Sequence, residues 1–407
     1  MKPQTAAIIG GGIAGPVLAM ALQRVGIHAT VYEAYTEPAA HVGSFLNVAS
    51  NGMDALATVG LADQVARAGL ATPRMVMWSG TGKRLGEVAN GVRLSTGITS
   101  TTIQRGRLHQ LLLDELRRRD LPVVHGRRLT DATTGDGVAR ASFEDGTSVE
   151  ADLLIGADGV HSRLRTIIDP SAPPPRYCGL LSLGGHARDL DLPAEPGTFH
   201  MIFGRHGFFS YTVQPNGEVW WFANLPQARE PARGELAATP SATWQQRLLT
   251  TFAADRAPAR DILQRTTGHI GAYALHDLPH VATWHRDRMV LVGDAAHATS
   301  PSAGQGASMA IEGALVLARA LRDLDDHRQA LRGYEHVRRP RVERIVRYSA
   351  RISGSKTAGP VGRVLRDAVM PLALRWLAKP EQHAWMYRHH IAWDRDISND
   401  LAATAAN

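Results

Sequence analysis

The chain has 407 residues, of which 44% are apolar and 20% are charged, and its formal net charge is +7. This composition is ordinary for a globular protein, and the length allows a large core and two subdomains. No apolar run reaches about 18 residues, so we expect no membrane-spanning helix. The chain enters its first strand within a few residues of Met1, so we expect no signal peptide and a cytoplasmic protein.

The number and spacing of the cysteine, histidine and arginine residues argue against disulfide-bonded, metal-binding and nucleic-acid-binding proteins. Cys178 is the single cysteine, which rules out an intrachain disulfide and fits a reducing compartment. The 18 histidines show no metal-ligand spacing, so no metal site is expected. Arginine clusters at 117–119 and 338–339 lie among acids on helical stretches, which favours solvated helix faces over contacts with nucleic acid.

The first motif is a glycine fingerprint between an apolar strand and a helical pattern. Gly10, Gly12 and Gly15 fit G-x-G-x-x-G. The first glycine allows a tight turn, the second lets backbone approach a pyrophosphate, and the third lets helix and strand pack closely. Glu33 ends the next strand, near the position of an acid that binds a ribose hydroxyl. Its carboxylate would repel a 2′-phosphate, which favours FAD or NAD over NADP, although glycine turns are also common structural features.

Two more motifs follow in order. The mid-chain motif ends a buried strand and consists of Asp158, Gly159, Ser162 and Arg165. The late motif also follows a buried strand and consists of Gly293, Asp294, Pro301, Gly304 and Gly306, with a helix beginning near Ala307. By itself, the mid-chain pattern would also suit a strand that ends in a turn.

Together, the three motifs resemble those of the single-component FAD-dependent aromatic hydroxylases, the para-hydroxybenzoate hydroxylase-like flavoprotein monooxygenases. The resemblance extends over about residues 5–350. It implies FAD as cofactor, NADPH or NADH as reductant, and O₂ and a small aromatic molecule as substrates. In this family, a flavin C4a-hydroperoxide hydroxylates or epoxidises an electron-rich ring. No catalytic protein side chain is therefore implied, because the flavin carries the chemistry.

The resemblance also assigns roles to residues of this chain. Asp158 and Arg105 would contact FAD, and Asp294 would bind its ribityl hydroxyls. The helix near Ala307 would direct its N-terminal N–H groups at the flavin pyrimidine, where negative charge develops on reduction. The expected cofactor-binding residues are Gly10, Gly12, Ile13, Ala14, Gly15, Glu33, Arg105, Asp158, Gly293, Asp294, Pro301, Gly304, Gly306 and Ala307.

The chain departs from the family pattern at several positions. Ala34 stands where Arg or Lys often follows the ribose-binding Glu, and residues 43–46 replace a common G-A-G-I. Ser308 stands where the family prefers Asn, and Gly313 where it prefers Asp. These departures affect the expected adenine contacts and the start of the last helix of the motif.

The element pattern predicts an α/β chain, α+β overall. A Rossmann-like FAD-binding domain would carry an inserted, mainly antiparallel β-sheet substrate domain, followed by C-terminal helices. Short aromatic strands and a turn at 215–217 indicate the antiparallel sheet. The predicted boundaries are 1–78, 100–176 and 273–345 for the FAD-binding domain, 79–99 and 177–272 for the substrate domain, and 346–407 for the helical segment. The helix at 361–377 either closes over the subdomains or contacts a membrane surface or partner.

Aromatic residues of the inserted sheet are candidates for a substrate wall, although such a stripe also suits a plain core. They are Phe203, Phe209, Tyr211 and Trp221. The aromatic insertion favours a hydrophobic aromatic substrate over a small benzoate, and we expect a monomer or homodimer.

Three other functions are compatible with FAD binding. One is a flavin-dependent reductase or oxidase acting on a non-aromatic, isoprenoid-like substrate. Another is a flavin-dependent halogenase, against which the adjacent Trp220-Trp221 and the scarcity of lysine argue. The third is a non-enzymatic FAD-binding module. No second G-x-G-x-x-G provides a nicotinamide domain, and the hydroxylases that the chain resembles lack one as well.

Overall fold

A computed structural model of the chain describes residues 2–37, 45–193, 195, 197–355, 360–377 and 380–405. The strands within these residues are β1 Thr5–Ile9, β2 His28–Tyr32, β3 Phe45–Val48, β4 Leu70–Ala71, β5 Arg74–Ser79, β6 Arg84–Ala89, β7 Thr101–Gln104, β8 Val123–Val124, β9 Leu129–Gly135, β10 Val138–Phe143, β11 Ser148–Ala151, β12 Leu153–Gly156, β13 Arg176–Ala187, β14 Thr198–Phe203, β15 Phe208–Val213, β16 Val219–Pro226, β17 Thr266–Asp277, β18 His285–Arg286 and β19 Met289–Leu291.

The α-helices in the same residues are α1 Ala14–Arg24, α2 Ser50–Thr58, α3 Ala62–Ala68, α4 Arg105–Arg118, α5 Arg163–Ile168, α6 Glu235–Ala238, α7 Ser241–Thr251, α8 Ala259–Gln264, α9 Asp294–His297, α10 Gly306–Asp323, α11 His327–Ser355, α12 Pro360–Leu377, α13 Ala384–Tyr387 and α14 Ser398–Ala405. Two short 3₁₀ turns cover Pro301–Ala303 and Pro380–His383.

A six-stranded sheet carries the three motifs. Its strand order is β18-β19-β12-β1-β2-β8; β1, β2, β8, β12 and β19 run parallel to one another, whereas β18 pairs antiparallel with β19. The apolar strands β1, β12 and β19 are buried because helices cover the sheet, and α1 packs against α10 in the main core. The C-terminal ends of these parallel strands therefore bring the glycine turns to one edge of the sheet.

A seven-stranded sheet has the order β17-β13-β16-β15-β14-β5-β6. Its pairs are antiparallel except for the parallel pair β14–β5. The turn between β15 and β16 is closed by the Gln214 N–H, which donates to the Glu218 carbonyl at 2.8 Å, and Gly217 takes φ +81°. Side chains of one face pack against α7 and α8, and those of the other face line a cavity. The predicted fold class, with an inserted, mainly antiparallel sheet, is confirmed.

The sheet extends beyond the boundaries expected for the insertion. β5 begins at Arg74, before the expected boundary at 79, and pairs with β14. β17 continues to Asp277, past the expected return at 273, because it pairs with β13 over most of its length. We therefore propose domain boundaries near 74 and 277 instead. Helix α12 packs against β6, beside the cavity.

The arginine cluster at 338–339 does not form a solvated face, contrary to expectation. Arg338 is 1% exposed, and its guanidinium donates to Glu312 at 2.8 Å and to the Met309 carbonyl at 3.2 Å. Arg341 also donates to Glu312, so a buried carboxylate between two arginines joins α10 to α11. Among the described residues, no helix is long and apolar enough to cross a membrane, and no cluster of His, Cys, Asp and Glu could hold a metal ion.

Candidate functional site

A large cavity lies between the six-stranded and seven-stranded sheets. Its volume is about 1560 Å³, which exceeds the roughly 300–1,000 Å³ of an ordinary ligand pocket. The motif side of the cavity consists of Gly12, Ile13, Ala14, Arg105, Asp294, Pro301, Gly304, Gly306 and Ala307. The sheet side consists of Met75, Met77, Phe199, Met201, Phe203, Phe208 and Phe222, with Leu365, Arg366 and Met370 of α12.

The glycine turn separates close packing from open space. A Cβ on Gly10, which takes φ +110°, would stand 2.3 Å from the Ala157 carbonyl oxygen. A Cβ on Gly15 would stand 2.0 Å from the Gly10 oxygen, whereas one on Gly12 would meet no atom within 4 Å. Gly10 and Gly15 therefore permit the backbone contacts, and Gly12 borders the room that a pyrophosphate requires.

Glu33 holds this turn from the end of β2. Its Oε2 accepts the Gly11 N–H at 2.7 Å, and its Oε1 accepts the Tyr35 N–H at 3.0 Å. His109 lies within hydrogen-bonding distance of the same turn, with Nε2 2.8 Å from the Gly11 carbonyl oxygen. His109 was not predicted as a site residue, although it lies four residues after Arg105 and thus on the same face of α4.

Arg105 and Asp294 carry opposite charges on the motif side. Both side chains are exposed to the cavity, Arg105 at the start of α4 and Asp294 at the start of α9. Desolvation raises the pKa of the Asp294 carboxyl, and the charge of Arg105 opposes this shift. Gly293 takes φ +61° directly before Asp294, and a Cβ there would stand 3.0 Å from the Ala14 Cβ. The close approach of α1 thus fixes where the Asp294 carboxylate enters the cavity.

The N-terminus of α10 also opens on the motif side. α10 begins at Gly306, one residue earlier than expected, and Gly306 and Ala307 of its first turn line the cavity beside Gly304. The first N–H groups of an α-helix have no acceptor within the helix. Ser349 of α11 holds the preceding 3₁₀ turn, because its Oγ accepts the Ala303 N–H at 3.2 Å and donates to the Ser300 carbonyl at 2.7 Å. This arrangement presents a positive dipole end to the cavity.

The mid-chain motif shapes the site, and its Asp158 carboxylate caps a helix, while the FAD contact expected of Asp158 stays a prediction. The Asp158 Oδ2 accepts the N–H groups of Arg163 at 2.8 Å and Leu164 at 3.1 Å, and so caps α5. Ser162 caps the same helix by accepting the Arg165 N–H at 2.9 Å. Burial raises the pKa of Asp158. Gly159, Val160 and His161 lie between Asp158 and α5 in the chain and line the cavity wall.

The aromatic wall candidates divide between the two faces of the seven-stranded sheet. Phe203 lines the cavity, whereas Phe209, Tyr211 and Trp221 lie on the opposite face, in the core formed with α7 and α8. Phe209 stacks on Trp221 with ring centroids 5.6 Å apart. Phe209, Tyr211 and Trp221 therefore do not form the cavity wall, contrary to the prediction. Because side chains alternate along a strand, their neighbours Phe208 and Phe222 occupy the cavity face instead, and strand register could have identified them.

Two departures from the family pattern have visible consequences. The Ser308 Oγ accepts the Ala49 N–H at 3.0 Å and so joins α10 to the start of α2. Gly313 provides no side chain to the neighbouring His297, whose ring nitrogens have no hydrogen-bond partner among the described residues. Burial lowers the pKa of His297 to about 3, so its imidazole is neutral. Residues 43 and 44, a further departure, lie outside the described residues.

Comparisons with known proteins agree with this geometry. The model of the FAD binding domain family matches residues 4–349. The chain is 34% identical to a 3-amino-4-hydroxybenzoate 2-monooxygenase of Streptomyces platensis, over 95% of this chain and 96% of that protein. It is 30% identical to the 6-hydroxynicotinate 3-monooxygenase of Bordetella bronchiseptica, over 86% and 91% of the two chains.

A solved structure extends the agreement to three dimensions. The Klebsiella pneumoniae protein HpxO, solved in complex with FAD and uric acid, superposes with a TM-score of 0.80 at 26% identity, over 91% of this chain and 94% of that one. The family match, the relatives and the fold support a monooxygenase rather than a reductase on a non-aromatic substrate or a non-enzymatic module. The chain thus belongs to the FAD-dependent aromatic hydroxylases of the para-hydroxybenzoate hydroxylase type, and it is a flavoprotein oxidoreductase.

Proposed function

We propose that the chain hydroxylates an uncharged, hydrophobic aromatic compound, with NADH or NADPH as reductant and O₂ as oxygen donor. The observation that carries this proposal is the apolar sheet side of a cavity whose other side bears the FAD motifs. Phe203, Phe208 and Met77 cluster there with Met201, Phe222 and Met370. Aromatic rings and flexible methionines offer an adaptable surface to an apolar ring.

The residues of the motif side fit FAD. The open space at Gly12 and the N-terminus of α10 suit phosphate and pyrimidine oxygens, and Asp294 can accept ribityl hydroxyls. Arg105 adds a cation that can pair with an anionic group. When bound, FAD supplies the redox chemistry, while the protein orients the ring and keeps water out.

The charge on the sheet side supports an uncharged substrate. Arg366 is the cation that α12 brings to this side, and its side chain is 9% exposed. Its guanidinium donates to Asp367 at 2.8 Å and to the Phe203 carbonyl at 3.3 Å, and it lies over the Phe203 ring. Because Asp367 already pairs with its charge, Arg366 offers less to a carboxylate of the kind found in hydroxybenzoate.

Paired substrates test this function. The holoenzyme is mixed with phenols and naphthols that differ only in a ring carboxylate, and NAD(P)H oxidation is followed with NADH and with NADPH. We expect stimulation by the uncharged member of each pair and a product that contains one oxygen atom from ¹⁸O₂. A preference for the carboxylates would contradict the substrate class, and product without oxygen from ¹⁸O₂ would contradict hydroxylation.

Fractionation and light scattering test our expectations of a cytoplasmic monomer or homodimer.

A further inference from the structure

Methionines are concentrated on the sheet side of the cavity. Of the ten methionines in the chain, four line this side and are half-buried, namely Met75, Met77, Met201 and Met370. The other described methionines lie in the main core and are at most 4% exposed, namely Met20, Met53, Met289, Met309 and Met386. The chain therefore carries two groups of thioethers that differ in their access to the cavity.

Strand pairing and helix packing bring three of the cavity thioethers together. Met77 and Met201 are register partners in the parallel pair β5–β14, so their side chains lie on the same face of the sheet. Met370 of α12 packs against the same cluster, which contains Phe203 and Phe208. We call Met77, Met201 and Met370 the methionine patch.

Strand β3 connects the methionine patch to the motif side. Phe45 lines the cavity and stacks on Phe199, with ring centroids 5.7 Å apart. Phe199 lies two residues before Met201 on β14 and therefore on the same face. Two residues after Phe45, the Asn47 Nδ2 lies 3.5 Å from the position of a Cβ on Gly304. The methionine patch thus faces the same space as the late motif, a few side chains away from it.

Thioethers are the soft nucleophiles of this wall. The sulfur of methionine carries lone pairs that can take up an oxygen atom from an electrophilic donor, and the product is methionine sulfoxide. Cys178, the single thiol of the chain, does not line the cavity. Burial also raises the pKa of the Cys178 thiol to about 11, so no thiolate competes with the methionines for oxygen.

We propose that the methionine patch is a modification site, at which the thioethers accept oxygen from the enzyme's own reaction when no substrate occupies the cavity. The inference rests on the proposed function, because the electrons and the oxygen are those of the hydroxylation. One thioether, one O₂ and one reduced FAD, with its two electrons and two protons, give one sulfoxide, one oxidised FAD and one water. The O–O bond breaks, an S–O bond forms, and both the sulfur and the flavin are oxidised.

Oxidation changes what the sheet side binds. A sulfoxide is polar and chiral, whereas the thioether is apolar and flexible. Because the methionine patch packs against Phe203 and Phe208, its sulfoxides place oxygen atoms without hydrogen-bond partners beside the space for an apolar ring. The protein therefore loses affinity for an uncharged aromatic ligand after it has reacted with O₂ in the absence of that ligand.

The test follows ¹⁸O into the FAD-loaded protein itself. Bound FAD is reduced by light and EDTA without oxygen, ¹⁸O₂ is admitted in the dark with catalase present, and the cycle is repeated before digestion and mass spectrometry. Protein that receives ¹⁸O₂ without prior reduction gives the background. Binding of 1-naphthol is measured before and after the cycles.

Two variants accompany the wild type. The triple variant Met77→Leu, Met201→Leu and Met370→Leu removes the thioethers of the patch with little change in volume. The matched control is Met309→Leu, which makes the same exchange at a core methionine that is 0% exposed. Each protein is compared with itself before and after the cycles, so a difference in its initial affinity does not affect the comparison.

We expect the patch methionines of wild type to carry roughly tenfold or more ¹⁸O than the core methionines. Wild type and Met309→Leu should bind 1-naphthol more weakly after the cycles, whereas the triple variant should keep its affinity. Equal label in the patch and the core, or label that appears only when catalase is omitted, would overturn the proposal, because free peroxide would then be the oxidant. An unchanged affinity of labelled wild type would overturn the effect on binding.

The outcome for the proposed function is separate. Incorporation of ¹⁸O into the phenols and naphthols of the paired-substrate experiment tests hydroxylation, and it can succeed while the methionine patch stays unlabelled. Absence of 1-naphthol binding before the cycles would count against the proposed substrate class, and the distribution of ¹⁸O between patch and core would still decide this inference.

Discussion

The two sides of the cavity are built by different means. On the motif side, backbone atoms approach so closely that only glycine fits, as where a Cβ on Gly15 would stand 2.0 Å from the Gly10 oxygen. On the sheet side, side chains that alternate along strands form the wall, so Phe208 faces the cavity and Phe209 faces the core. Substitutions on the motif side should therefore change cofactor binding. In the seven-stranded sheet, substitutions on the cavity face should weaken ligand binding, and substitutions on the core face should lower the free energy of unfolding.

The largest expected effect separates the two faces of the sheet. Phe209→Ala should lower the free energy of unfolding by about 3–5 kcal/mol, because Phe209 is fully buried against Trp221 and Phe252. Phe222→Ala should destabilise less, because Phe222 is half-buried and borders the cavity, but it should weaken binding of an uncharged aromatic ligand. Urea unfolding and ligand titration measure both quantities. An equal decrease in the free energy of unfolding in the two variants would contradict the assignment of Phe209 to the core face and Phe222 to the cavity face.

The next effect concerns the opposite charges of the motif side. Asp294→Ala and Arg105→Ala should each weaken FAD binding roughly tenfold to a hundredfold, since a hydrogen bond to a charged group contributes about 1.5–3 kcal/mol. Arg118→Ala is the control, because that side chain is 68% exposed and its partner Glu115 keeps Arg119 at 2.6 Å. FAD occupancy after identical dialysis measures the difference. Occupancy that is the same in all three variants would refute the role of both residues.

Two glycine substitutions distinguish a glycine required for backbone packing from a glycine that borders the space for the cofactor. Gly15→Ala should destabilise even the FAD-free protein, by about 1–3 kcal/mol or more, because its Cβ would overlap backbone. Gly12→Ala should leave the free energy of unfolding of the FAD-free protein within about 0.5 kcal/mol of wild type, because its Cβ meets open space, and yet weaken FAD binding. Denaturation without FAD, followed by FAD titration, tests both. Normal FAD affinity in Gly12→Ala would place the pyrophosphate elsewhere.

The same contrast explains what sequence could and could not predict. The fold class and the glycine turns were predictable because each motif is local: a strand, a glycine and a helix start lie within a few residues of one another. The face of an aromatic residue depends on strand register, so Tyr211 and Trp221 were assigned to the wrong side of the sheet. The helix cap formed by Asp158 was also not predicted, although its partners are N–H groups only a few residues away.

Residues contributed by distant parts of the chain were not predictable. Met370 joins Met77 and Met201 only because α12 folds back against β6, and no local pattern marks these residues. Arg338 lies in a charged stretch typical of a solvated helix, but its partner Glu312 is on another helix. Such contacts depend on tertiary packing, which overrides the local pattern of charge.

The smallest expected effect at neutral pH concerns a buried histidine next to the late motif, which becomes important only in acid. His297 is 2% exposed, and burial lowers its pKa to about 3, whereas the pKa of an unfolded histidine is about 6.5. Between these two values the unfolded chain binds a proton that the folded chain does not. The free energy of unfolding therefore decreases as pH falls through this range, by about 1.4 kcal/mol per pH unit for this one group, and is unaffected by it above about pH 7.5.

His297→Leu tests this dependence, because it removes the buried ring nitrogens that lack partners among the described residues. The variant should show a shallower decrease in the free energy of unfolding between about pH 6 and pH 4, by up to the slope of one proton. Above about pH 7.5, its stability should differ from that of wild type by a constant amount. Urea unfolding of the FAD-free proteins at several pH values measures both curves. If the acid slopes coincide, His297 takes up a proton equally in both states, and the acid sensitivity lies in other buried groups.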